Sequence, residues 1–255
     1  MRDEKNSLKE EYDMMRTRQE IKAIGKERFK ANYWPCVLAL LLVTAVLMAI
    51  SGLSGSASTS AAMTAAMNGQ EPEPTTTITV GSSVGSILAI LLAGPLTIGL
   101  NYFFVMNTLG RTDEITATTP FPVAFQNYGR KLGGYLWMEL FTFLWSLLFF
   151  IPGIIKSFSY AMTPYILADC PNVKARDALK LSMRIMKGHK WELFVFLLSF
   201  IGWGLLSALT LGILEIFYVG PYLQSASATY YLEVREEALR NGVITMGQLE
   251  GTEAV

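Results

Sequence analysis

Charge is scarce in this chain: 16% of its 255 residues are Asp, Glu, Lys or Arg, against 51% apolar. Such a composition lies outside the ordinary range of soluble domains. Histidine is reduced to a single residue, His189, and cysteine to Cys36 and Cys170. With so few imidazoles and thiols there is no metal-ligand cluster at recognisable spacing, no disulfide framework and no nucleophile-and-base arrangement. A glycine pattern for nucleotide phosphates is missing as well, and no basic stretch is interleaved with stacking aromatics as nucleic-acid binding would require. The expectations are a protein that is not an enzyme, with no metal, no cofactor and no nucleic-acid partner, whose two thiols stay free in a reducing cytoplasm.

A further absence is positional. Lys and Arg are missing from every second connection between the apolar runs, and they crowd the others: nine in residues 1–34, three in 108–131, six in 170–190 and two in 233–255, with Lys156 as the outlier. Sorting of this kind orients a multipass membrane protein, because cations stay on the cytoplasmic side. The formal net charge of zero hides that asymmetry. Both termini are expected inside. A cleavable leader is not expected, since the first apolar run starts only near Trp34, after a long mixed-charge segment.

The apolar runs fit six spans, because a crossing takes roughly 20 residues at about 1.5 Å each. They cover about 35–53, 84–107, 132–151, 153–168, 191–211 and 212–232, within a membrane domain of 35–232. The fold class expected is therefore all-α: a polytopic transmembrane helical bundle with amphipathic interfacial helices on the cytoplasmic side. The fourth run is short and interrupted by Pro164. It reads as a kinked span, since a re-entrant segment would strand the cations of 170–190 outside, and a five-span variant is the alternative. Residues 54–79, rich in Ser, Thr and Ala, read as a flexible extracytoplasmic loop. Gly81, Gly85, Ala89 and Ala93 make a small-residue packing stripe. Asn101 and Asn107 are placed to bond neighbouring helices. Pro152-Gly153 should break the third run, and Thr210-Leu211-Gly212 should close a tight hairpin.

Two cytoplasmic segments show helical periodicity. In the lead-in 1–34, Ile21, Ile24, Gly25, Phe29 and Tyr33 share a face away from Lys22, Lys26 and Lys30, as an amphipathic interfacial helix would. In 172–188, with Asn172 as a cap and Gly188 as the stop, Arg176, Lys180, Arg184 and Lys187 fall on one face. Ala175, Ala178, Leu179, Ser182 and Met186 lie opposite. That basic face suits anionic headgroups at roughly 1 kcal/mol per cation. Residues 233–255 form a cytoplasmic tail.

Ionisable groups inside a bilayer are costly and so are functional candidates. Glu139 has no evident partner and is the candidate ligand or proton site. Lys156 and Glu215, at similar depth near the outer side, read as an ion pair. His189, beside Lys190-Trp191, reads as an interfacial residue.

The stretch from Ile151-Pro-Gly-Ile-Ile-Lys156 to Asp169, then Ser182 to Gly188, His189-Lys-Trp-Glu-Leu-Phe194, Leu198-Ser-Phe-Ile-Gly-Trp203, Leu209-Thr-Leu-Gly212 and Gly220-Pro221-Tyr222 together resemble the bacterial multipass family of domain of unknown function 975. The resemblance runs from about Gln19 to Arg235, apart from the 54–79 loop. It implies a bacterial plasma-membrane protein and no particular activity. The layout is also similar, more distantly, to the membrane portion attached to some glycerophosphodiester phosphodiesterases. Two functions follow as expectations: a non-enzymatic component that binds lipids or other membrane proteins, itself included, or a small carrier or permease for an amphipathic solute or lipid using Glu139 and the helix breaks at Pro164 and Pro221.

Overall fold

The computed structural model describes residues 16–67, 80–148 and 150–255, and the side-chain surroundings of these outside 51–86 and 148–151. All regular structure among them is helical. The elements are α1 (Arg18–Ala31), α2 (Tyr33–Met67), α3 (Val80–Thr108), a 3₁₀ turn (Thr112–Glu114), α4 (Pro120–Phe125), α5 (Tyr128–Leu148), α6 (Phe150–Tyr160), α7 (Thr163–Asp169), α8 (Ala175–Ile185), α9 (Lys190–Leu198), α10 (Ile201–Leu209), a π-helical turn (Glu215–Val219), α11 (Gly220–Arg240) and α12 (Met246–Glu250).

The lead-in helix α1 begins where a capping box fixes it: the Thr17 hydroxyl accepts from the Glu20 amide, and Glu20 accepts from the Thr17 amide. Its periodic face, Ile21, Gly25 and Phe29, is buried. The cover is α11 of the same chain. Gly25 is needed there, because a Cβ would come 2.6 Å from the Ala226 Cα. The apolar face thus meets protein where the sequence pattern suggested a membrane surface.

The centre of the molecule is α3, packed against α2, α4, α7, α11 and α5. Its second half is enclosed, with Leu96, Ile98, Phe103, Phe104 and Val105 at most 2% exposed. Two glycines let neighbours approach. A Cβ on Gly94 would strike the Tyr135 ring at 2.6 Å, and one on Gly99 would overlap the Pro120 carbonyl. The stripe read from the sequence lies earlier on the helix, where the surroundings of Gly81 and Gly85 are outside the described residues. Asn107 does bridge as expected, accepting from Asn32 Nδ2 at 3.0 Å and donating to the Arg28 carbonyl at 3.3 Å.

Helix α2 continues to Met67, well into the segment read as a loop; residues 68–79 lie outside the described residues. Alanine-rich sequence with no proline before Pro72 sustains a helix, and composition alone concealed that. The third run ends between α5 and α6, so Pro152 and Gly153 sit in the first turn of α6. Gly153 lets that turn close on α5, since its Cβ would lie 2.7 Å from the Ser146 Cα.

The α5–α6 pair is a hairpin, and α7 extends its return leg after a break at 161–162, just ahead of Pro164. Both ends of the excursion are tied together by Arg130, whose guanidinium donates to the carbonyls of Leu167 (2.6 Å), Cys170 (3.0 Å) and Val173 (2.8 Å). The Leu167 carbonyl is one that the last turn of α7 leaves open, and the other two lie in the chain that follows. The run 191–211, expected as one span, is two helices, α9 and α10, interrupted at Ser199-Phe200. The hairpin at 210–212 is present, with Leu211 and Gly212 in the left-handed region at φ 54° and 82°.

Three stretches are long and apolar enough to cross a membrane: Tyr33–Ile50, Ile87–Thr108 and Lys190–Leu209. Large apolar side chains are also exposed along α5, α10 and the π turn, among them Phe143, Leu147, Leu205, Leu209 and Ile213. A bare apolar surface of that extent signals contact with lipid or another protein.

Candidate functional site

Helix α8 carries the basic face. It is shorter than expected, starting at Ala175 with Lys174 at the cap position and no side-chain cap, so Asn172 does not cap it. Gly188 turns the chain beyond it in a left-handed conformation, φ 100°. Arg176, Lys180, Arg184 and Lys187 are all exposed, while Ala178, Leu179, Ser182 and Met186 are buried against α5, α6 and α7. The Ser182 hydroxyl anchors the helix to the Ser159 carbonyl of α6 at 2.8 Å.

Where α8 crosses the α5–α6 hairpin, a half-open groove of about 440 Å³ forms. Its floor is an aromatic ladder at one-turn spacing on α5: Trp137, Phe141 and Trp145. Three cations stand around it, Arg176 and Lys180 from α8 and Lys156 from α6. Two of them lie on aromatic faces, with the Arg176 guanidinium 4.9 Å from the Trp137 ring centre and the Lys156 ammonium 4.9 Å from that of Trp145. This is cation–π range. Lys180 also bonds Asp177 Oδ1 at 3.2 Å and the Val255 carbonyl at 3.4 Å.

The expected pair of Lys156 with Glu215 is not formed. Lys156 belongs to the aromatic groove, while Glu215 begins the π turn and lines a different, apolar groove of about 520 Å³ with Leu40, Thr44, Met48 and Gln224. Similar depth in a linear reading does not give proximity. α6 packs on α5, α8 and α9, whereas the π turn packs on α2, α10 and α11. Glu139 is exposed on the outside of α5, one turn from Tyr135.

His189 is not simply an interfacial residue. Its Nδ1 lies 3.2 Å from Glu192 and its Nε2 3.7 Å from Glu237 of α11. Two further polar links went unread in the sequence. Asp169, at the end of α7, is paired with Arg235 and accepts from the Tyr231 hydroxyl at 3.0 Å. Arg16 reaches Glu233 at 3.1 Å. Both partners lie far apart in sequence, so no local spacing announces them. The two cysteines are free and buried, and burial pushes the Cys170 thiol up to about 12. Among the described residues no cluster of His, Cys, Asp and Glu has the numbers to hold a metal ion.

Residues 147–238, which contain the hairpin return, α8 and the long α11, match the family described as Protein of unknown function (DUF975). This stretch of the chain is similar to that family. The run from Ile151 to Tyr222 that suggested the family lies wholly inside the match, and the amino-terminal half, with α1 to α4, lies outside it. The matched stretch therefore supplies both the cations of the groove and the surface that covers α1. No curated protein and no solved structure matches the chain.

Proposed function

We propose that this is a six-span membrane protein with both termini in the cytoplasm, acting without catalysis by binding anionic lipid. The observation that carries the reading is the meeting of Arg176, Lys180 and Lys156 at a groove floored by Trp137, Phe141 and Trp145. Cations at the edge of an aromatic, apolar trough match a molecule with an anionic head and an apolar tail. Exposure of all four cations of α8 supports the same reading, at roughly 1 kcal/mol each toward an anionic leaflet.

The Arg130 clamp bears on topology. Since α5 leaves and α7 returns at one level, the two legs cross together or not at all, and the cations of 108–131 and 170–190 share a side either way. That arrangement supports cytoplasmic placement for both basic stretches. The carrier alternative loses support from Glu139, which faces out of the bundle.

The experiment is native mass spectrometry from nanodiscs containing anionic lipid, comparing the native chain, Glu139→Gln and the four-fold reversal Arg176→Glu, Lys180→Glu, Arg184→Glu, Lys187→Glu. Retained anionic lipid should disappear with the reversal and persist with Glu139→Gln. The opposite pattern would favour the carrier.

A further inference from the structure

A separate cavity of about 320 Å³ lies among α3, the 3₁₀ turn, the α4–α5 connection and the end of α7. Its polar lining is Arg111, Gln126, Asn127, Arg130, Lys131 and Asp169. The charges there do not cancel. Arg111 is held at two points by Glu114, Nε to Oε1 at 2.8 Å and Nη2 to Oε2 at 2.6 Å. Asp169 is already matched by Arg235 and the Tyr231 hydroxyl. Arg130 and Lys131 remain, and among the described residues neither has a carboxylate at ion-pair distance.

Both cations do have carbonyls. Arg130 holds those of Leu167, Cys170 and Val173, and the Lys131 ammonium donates to the Val123 carbonyl of α4. Carbonyls stabilise a cation but do not neutralise it. Lys131 is only 4% exposed, and a buried cation without a counter-ion is an expensive arrangement to keep. An ammonium carries three donors, and one is used. The backbone is set for this corner as well. Asn127 adopts a left-handed conformation at φ 51°, unusual for a residue other than glycine, and its carbonyl accepts from the amides of Arg130 (3.0 Å) and Lys131 (3.2 Å). The strained turn therefore starts the helix so that both cations fall at the cavity.

We propose that this cavity binds an oxyanion of the phosphate class, with Lys131 and Arg130 supplying the charge and the side-chain amides of Gln126 and Asn127 the flanking hydrogen bonds. The missing counter-ion of Lys131 is the ligand. Tyr102, Met106 and Val123 form an apolar wall beside these groups, so the phosphoryl group can belong to a soluble phosphate or to a lipid headgroup. The site is independent of the aromatic groove and of the function proposed for it.

Burial, with Arg130 alongside, pushes the Lys131 ammonium down to about 8, so its charge is lost in mildly alkaline solution and the anion with it. The other titratable groups facing the corner are Tyr102 of α3, Arg111 with its Glu114, Asp169 with its Arg235, and the buried Cys170, whose thiol stays protonated with a value near 12.

The test titrates inorganic phosphate calorimetrically into the full chain in zwitterionic phosphatidylcholine nanodiscs, then repeats it in discs containing phosphatidic acid. In the zwitterionic discs, binding at about pH 7 should weaken roughly tenfold in Lys131→Gln, and by a similar factor at about pH 9 in the native chain. Gln126→Ala should weaken it several-fold. That side chain is exposed and lines the cavity, so it keeps the test open if Lys131→Gln does not fold. A lipid headgroup as natural occupant predicts that phosphatidic acid abolishes the phosphate signal and that its retention depends on Lys131. A soluble phosphate as occupant predicts an unchanged signal. Phosphate binding that neither substitution nor pH alters, or no binding of either probe, would overturn the proposal.

Discussion

The hydroxyl of Tyr33 donates to the carbonyl of Phe217 at 2.9 Å, and that carbonyl is the one Pro221, four residues on, leaves without an amide partner. The same device recurs on α3. Pro95 lies inside that helix, and the carbonyl four residues before it, Leu91, accepts from the Tyr128 hydroxyl at 3.0 Å. In each case a tyrosine from a distant helix stands in for the missing proline amide. The π turn Glu215–Val219 ends at this point, as expected where regular bonding is interrupted.

Each hydroxyl should therefore matter only while its proline is present. Tyr33→Phe and Tyr128→Phe should each cost about 1–3 kcal/mol, the cost of an unsatisfied carbonyl away from water. In a Pro221→Ala background the Tyr33→Phe cost should fall to near zero, since the restored amide takes the carbonyl. A double-mutant cycle read from thermal unfolding checks this, and an unchanged cost in the alanine background would refute the pairing.

Glycines should divide by what faces them. Gly25→Ala places a Cβ 2.6 Å from the Ala226 Cα and should destabilise by about 1–3 kcal/mol, with part of the loss appearing as release of α1 to proteolysis. Gly133→Ala, in α5 with nothing within 4 Å, should be neutral or stabilise by about 0.5–1 kcal/mol. Equal effects at the two positions would mean that close packing of α1 on α11 is not what Gly25 provides.

Lys131 should leave a mark on the pH dependence of stability. Its folded value near 8 lies below its unfolded value of 10.5, so between these limits the unfolded chain holds more protons. Stability should rise across that window as the folded ammonium gives up its costly charge, and should lie lowest, for this group, below about 8. Lys131→Met should flatten the rise. Urea midpoints at a series of pH values, compared between the two proteins, decide it.

Cys36 and Cys170 should resist maleimide in the folded protein, being buried, so a single engineered cysteine can report topology. Leu147, 72% exposed near the tip of the α5–α6 hairpin, is the position to use. With six spans, Leu147→Cys reacts with an impermeant reagent added from outside. Reaction only after permeabilisation would mean that the hairpin enters and leaves on one side.

Periodicity and charge sorting were sufficient for what is local. The split of α8 into a basic exposed face and a buried face, the break before Pro164 and the turn at Leu211-Gly212 were legible, whereas Pro152-Gly153, expected as a break, lies within α6. Asn107 was too, because a polar side chain near a helix end has few roles open to it. Pairings set by three-dimensional packing were not. Lys156 lies over Trp145 and shares a groove with Arg176 in place of pairing with Glu215, since α6 folds back onto α5. Gly94 and Gly99 gave no repeating pattern, yet they receive Tyr135 and Pro120. Arg130 and Lys131 looked like two more cytoplasmic cations, and nothing in their neighbourhood in the sequence marks them as half-buried and buried.

The seat of α1 on α11 sets an order of events during synthesis. Gly25 accepts Ser225 through its carbonyl at 2.9 Å, across a sequence separation of 200 residues. Helix α1 therefore has to wait, its apolar stripe uncovered, until α11 has been made. Until then only chaperones or the membrane surface can shelter Ile21 and Phe29, and a chain cut short before α11 would be left displaying a sticky amino-terminal helix for quality control to find.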